Sequence, residues 1–294
     1  MEQLKLGGVL ILVLGLLEFV RLEAVSKLNP YPPVVAIYGP RNKFVCNGVI
    51  VDKGRVLVAA DCLTFVRNDS EVLGASEDFH VVMETHNIDL FEKGKAMSGH
   101  GKYVDTALDH YVSVESFTVH PNATGPYAYD VAMLEVTEDR PFDRSAIAEI
   151  VEEDVRTSGL NSVVQIYGWG TLSTGESNED KQEYFKTRVV EMYLVPAKNC
   201  SVVGDVFLLD QHLCMFPVNN VTICAGFSGA PIVLNGKLIG IVAFGDESCD
   251  LTSPVIGTSL EIFKEFILPK SWFSQIIEHM KIFFGSIASF FSFF

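Results

Sequence analysis

Six cysteines constrain this chain more than any other feature: Cys46, Cys62, Cys200, Cys214, Cys224 and Cys249. Their number is even, and they follow an apolar start. Gly8–Leu17 is an uncharged run preceded by Lys5, stopped by Glu18, Arg21 and Glu23, and followed by the small residue Ala24. A membrane span takes about 20 consecutive apolar residues, so residues 1–24 read as a cleaved secretory signal and not as a retained anchor. Export to an oxidising compartment makes three disulfides the expectation. Six cysteines pair in about fifteen ways, and the sequence alone does not choose among them. Zinc is a poor rival, because there is no Cys-x-x-Cys pair and no histidines are spaced around the cysteines as ligands. No metal and no cofactor is expected. Asn68, Asn122, Asn199 and Asn220 each begin an Asn-x-Ser/Thr triplet and suit an extracellular, secreted glycoprotein. Asn199 is the weakest, since Cys200 fills its middle position.

The chain is long enough, at 294 residues with 48% hydrophobic and 20% charged, for one or two packed domains. Its formal charge of −15 argues against nucleic acid, whose phosphates need clustered Lys and Arg. Short runs rich in Val, Ile and Tyr recur at Val34–Tyr38, Val45–Val51, Arg55–Ala60, Val131–Val136, Val163–Tyr167 and Thr187–Val195 and read as strands. Within Pro231–Val242, Asn235-Gly236 divides two apolar arms and predicts a tight type I′ hairpin. Helical spacing is confined to Ser259–Ile267 and Ser271–Lys281, with Pro269 between them. The polar stretches Asn68–His110 and Leu172–Gln182 read as surface loops. The sum is an all-β core with a helical C-terminus.

Three segments carry the chemistry. Cys46-Asn47-Gly48-Val49-Ile50 precedes Val56-Leu57-Val58-Ala59-Ala60-Asp61-Cys62. Tyr129-Asp130-Val131-Ala132-Met133-Leu134 follows His120-Pro121. Cys224-Ala225-Gly226-Phe227-Ser228-Gly229-Ala230-Pro231 comes last, after Gly168-Trp169-Gly170 and before Gly240–Gly245. In order and context, over roughly residues 33–267, these segments resemble the trypsin/chymotrypsin-like serine proteases. That resemblance implies two packed six-stranded antiparallel barrels, split near residue 150, with the site in the cleft between them. It implies the disulfides Cys46–Cys62, Cys200–Cys214 and Cys224–Cys249. It places the triad at Asp61, Asp130 and Ser228, the oxyanion-hole amides at Gly226 and Ser228, and the substrate pocket at Thr222, Ala243, Phe244 and Gly245.

The departures matter more than the matches. The general base of the family is a histidine, and here that position is Asp61. Imidazole takes the serine proton and returns it to the leaving group, whereas a free Asp, with a pKa near ~3.9, is too weak a base at neutral pH and too short. Phe227 stands where the family has an aspartate that pairs with the amino terminus freed on activation, and no Arg/Lys-Ile-Val-Gly-Gly segment precedes Cys46. Ala230 replaces a glycine, Ala243-Phe244-Gly245 replaces Ser-Trp-Gly, and Thr222 gives no reason to expect a preference for Arg or Lys. His86, His100 or His110 would have to fold back from a loop to supply a base. A calcium site at Asp61 and Asp130 falls short of the ~6–8 oxygens that calcium takes.

The expectation is therefore a secreted, catalytically inactive serine protease homologue. It would act by binding protein or peptide partners, among them active proteases or their substrates, as a cofactor, decoy or regulator. An active endopeptidase with an unconventional base is the alternative. The Phe-rich stretch Lys281–Phe294 adds a third reading, a membrane-tethered interaction protein. That tail, in the extension 268–294, reads first as an extra helix, then as a membrane or partner docking element; a lipid-anchor signal lacks its polar spacer.

Overall fold

The computed structural model describes residues 31–268 apart from 32, 41–42, 68–69, 84–87, 89–110, 125–126, 138–141, 143–145, 175–185 and 247. The leader, Asn68, His86, His100, His110, the second helical stretch and the Phe-rich tail lie outside these residues.

Strands β1 (Val34–Gly39), β2 (Lys43–Asp52) and β3 (Arg55–Val58) open the first barrel. A hairpin of β4 (Thr64–Arg67) and β5 (Ser70–Leu73) stands apart from it. Strands β6 (His80–Val82), β7 (Tyr111–Val119) and β8 (Ala132–Val136) close it in the order β1-β2-β3-β8-β7-β6. A short helix α1 (Val155–Ser158), with the Asp154 carboxylate accepting from Arg156 N–H as its cap, leads to the second half.

There β9 (Val163–Gly168), β10 (Leu172–Ser173), β11 (Arg188–Val195), β12 (His212–Pro217), β13 (Thr222–Ile223), β14 (Pro231–Leu234), β15 (Lys237–Phe244) and β16 (Val255–Ser259) follow. Six of them close a second barrel in the order β11-β12-β16-β15-β14-β9, while β10 and β13 pair separately. Every pairing between these strands is antiparallel. Helix α2 (Lys264–Ile267) packs back on the first barrel, where Arg55 donates to the Ile267 carbonyl at 2.8 Å. No helix among the described residues is long and apolar enough to cross a membrane.

Alternation decides which faces meet. Along β1, Val35 and Ile37 join the first core, while Val34, Ala36 and Tyr38 pack with Trp169 from the second half. Asn235 and Gly236 both have positive φ, +52° and +81°, as the predicted hairpin turn requires. All three disulfides have the partners that the resemblance implies.

Three expectations need correction. Leu172–Gln182 is not loop throughout, because Leu172 and Ser173 form β10 and pair with β13, a strand too short for a pattern to show. Asn68–His110 is not one loop: β5, a 3-10 turn at Ser76–Asp78 and the barrel-closing β6 lie within its described part. These elements have only three or four residues each, too few for a pattern to show. The helical reading of Ser259–Ile267 also starts too early, because Ser259 ends β16 and pairs with Gly240.

Candidate active-site cleft

The first barrel delivers Asp61 on a 3-10 turn, Ala60–Leu63, tied to β2 by Cys46–Cys62. It delivers Asp130 just ahead of β8. The second barrel delivers Ser228 from the tight loop before β14. Asp61 and Ser228 face one cleft of about 890 Å³, and Asp130 lies behind Asp61, only 1% exposed. Asp61 also borders a second hollow of about 510 Å³ under β5.

Asp130 Oδ1 accepts the Asp61 N–H at 2.9 Å, so this carboxyl grips main chain. Asp130 Oδ2 and Asp61 Oδ1 are buried without a hydrogen-bond partner among the described residues. Burial pushes the Asp130 carboxyl up to about 8, with the Asp61 charge adding to the rise. Burial likewise pushes Asp61 up to about 6, against a Cys62 N–H bond that lowers it. Two carboxyls sharing a low-dielectric site cannot both ionise cheaply, so the pair holds a proton near neutral pH. Cys46 and Cys62 lie within reach of Asp61, but their sulfurs are spent in the disulfide, so no metal set forms there.

Among the described residues no histidine lines the cleft. His120 stacks on Tyr129 at 5.0 Å and meets the edges of Phe263 and Phe266. His212 is buried; its Nδ1 accepts the Leu208 N–H at 3.0 Å, which leaves Nε2 to donate to the Tyr127 carbonyl at 2.8 Å. Burial pushes both imidazoles down.

Ala243, Phe244, Gly245 and Gly226 line the cleft wall. Thr222 is not in it: that residue is buried in β13 opposite Ser173, and its neighbour Ile223 lines the cleft instead. The two-residue strand turns Thr222 inward. Sequence reasoning missed Tyr127, Val202, Val203 and Val206, which complete an apolar rim; Tyr127 meets Phe244 edge-on at 4.8 Å. It also missed Asn47, buried beneath the Ser228 loop. An apolar Val-x-x-Val spacing after Cys200 was the available signal for the rim. Asn122, Asn199 and Asn220 are all exposed.

Two closed six-stranded barrels with a serine loop and a carboxylate meeting at their junction define a trypsin-like architecture. The trypsin family model matches residues 24–267, and the chain belongs to that family. A glandular kallikrein of Sus scrofa is 26% identical over 81% of this chain and 90% of its own length. A venom serine protease of Polistes dominula is 22% identical over 82% of this chain and 81% of its own. The solved structure of neuropsin, a serine protease expressed in mouse brain, shares the fold at a TM-score of 0.60 and 16% identity, over 81% of this chain and 93% of that one.

Proposed function

We propose that this chain is a secreted serine protease homologue that binds peptide or protein segments in its cleft without cutting them. The observation that carries this reading is Asp61 at the base position, with its own N–H held by Asp130 at 2.9 Å. A triad works because one imidazole bridges acid and serine; here the acid holds the backbone of the turn, and the cleft is lined by no imidazole among the described residues. The apolar rim of Tyr127, Phe244, Ile223 and Val206 suits an aliphatic or aromatic side chain. Secretion is supported by the leader, the three disulfides and the exposed Asn-x-Ser/Thr sites.

A second reading has one observation in its favour. Burial lifts Asp61 towards the range of an imidazole, so an endopeptidase with a carboxylate base is the alternative. Labelling by a fluorophosphonate across about pH 4 to 8 separates the two. The expected result is labelling no greater than that of Ser228→Ala. Ser228-dependent labelling that rises as Asp61 ionises establishes the alternative instead.

A further inference from the structure

The loop that carries Ser228 is held from beneath by two residues with no part in the chemistry above. Asn47, on β2, is fully buried. Its Nδ2 donates to the Gly226 carbonyl at 2.8 Å and to the Trp169 carbonyl at 3.2 Å, and its Oδ1 accepts the Trp169 N–H at 2.8 Å. Its main-chain N–H donates to the Ser228 carbonyl at 2.8 Å. A side chain so fully bonded in the interior has one position. The surroundings are equally tight: a Cβ on Gly168 would lie 2.7 Å from Asn47 Oδ1, and a Cβ on Gly229 would lie 2.2 Å from the Asn47 carbonyl oxygen.

Phe227 closes the other side. It is 1% exposed, belongs to the second barrel's core, and leaves no room for a Cβ on Gly170, which would come within 2.5 Å of its ring. An aspartate buried at this position would need a cation beside it; a phenyl ring needs only the core. Gly226 and Gly229, at φ +96° and +75°, complete the turn. Gly229 N–H donates to the Val242 carbonyl at 2.9 Å and Ala230 N–H to the Phe227 carbonyl at 3.0 Å. The amides of Gly226 and Ser228 donate to no acceptor among the described residues.

We infer that Asn47 and Phe227 are positioning residues that form an internal latch, holding the Gly226 and Ser228 amides ready for a peptide carbonyl without a cleaved amino terminus. The latch stands on loop geometry and holds whether or not Ser228 reacts, so its failure and the failure of the binding reading are distinguishable.

Amide hydrogen exchange on the uncut, full-length chain tests it. Gly229 and Ala230 are expected to exchange at least ~100-fold slower than in an unstructured peptide. Asn47→Asp keeps the acceptor for the Trp169 N–H and removes the donor to the Gly226 and Trp169 carbonyls; exchange of the bonded Gly229 and Ala230 amides should rise about tenfold or more while β1 and β9 stay protected. An Ile-Val dipeptide, as a surrogate amino terminus, should change nothing in the wild type. Three results overturn the latch. Two of them need no variant: fast exchange of the loop in the wild type, and a loop that slows when the dipeptide is added. The third is exchange that Asn47→Asp leaves unaltered.

Discussion

Asp61 and Asp130 meet at the back of the cleft, each with one buried oxygen that has no hydrogen-bond partner among the described residues. Both keep protons in the folded chain at pH values where the unfolded chain has lost them, since burial raises both. The stability drawn from this pair is thus full below about pH 4 and falls as pH rises to about 8. His212 works in the opposite sense: its imidazole is pushed down, so its contribution is present above the unfolded pKa and lost as pH falls. Asp61→Asn removes one member of the acid pair. It should stabilise the fold by about 1–2 kcal/mol at pH 8 and by much less at pH 5, read by urea denaturation at the two pH values. Equal effects at both would show that the carboxyls do not share a proton. Asp61, Asp130 and Ser228 stood out in the sequence because each sits in a motif of fixed order, and the fold places Asp61 and Ser228 on one cleft with Asp130 bonded to the Asp61 N–H. Asn47 sat in such a motif too, but nothing in its neighbours foretold that its amide would span two barrels.

At the scale of elements, the turns were the clearest. Asn235-Gly236 announces a hairpin because few residues tolerate two successive positive φ angles. Gly236 has open space where a side chain would go, with nothing within 4 Å of its Cβ position. Gly236→Ala should therefore cost only backbone strain, about 1 kcal/mol, measured as a shift of the denaturation midpoint with an unchanged slope. The long strand β11, with inward Val190, Met192 and Leu194 alternating with outward Val189, Glu191 and Tyr193, was equally plain. Strand β6 was not. Three residues cannot display a period, and His80–Val82 becomes a strand only through its neighbours β1 and β7.

At the scale of the molecule, the two barrels are joined by buried polar contacts as well as by packing. Gln211, 4% exposed, accepts the Tyr129 N–H at 2.8 Å through Oε1, and the adjacent His212 holds the Tyr127 carbonyl. These residues of the second barrel fix the segment of the first that leads to Asp130. Gln211→Ala leaves the Tyr129 N–H without its acceptor and should cost about 1–3 kcal/mol. A single unfolding transition at lower denaturant is the expected form of that loss; an unchanged midpoint would mean that water replaces the amide.

What the sequence determined by itself was local or linear: the strand periods, the one hairpin turn, the order of the motifs, and the carboxylate at position 61. Each rests on neighbours in the chain or on the identity of a single residue. Only the tertiary structure decided that Thr222 turns away from the cleft while Ile223 faces it, that Val202, Val203 and Val206 form its rim, and that Asn47 and Phe227 hold the Ser228 loop. These contacts join residues far apart in the chain; Asn47 and Gly226 are separated by 179 positions. Packing geometry, which no local pattern encodes, brings them together.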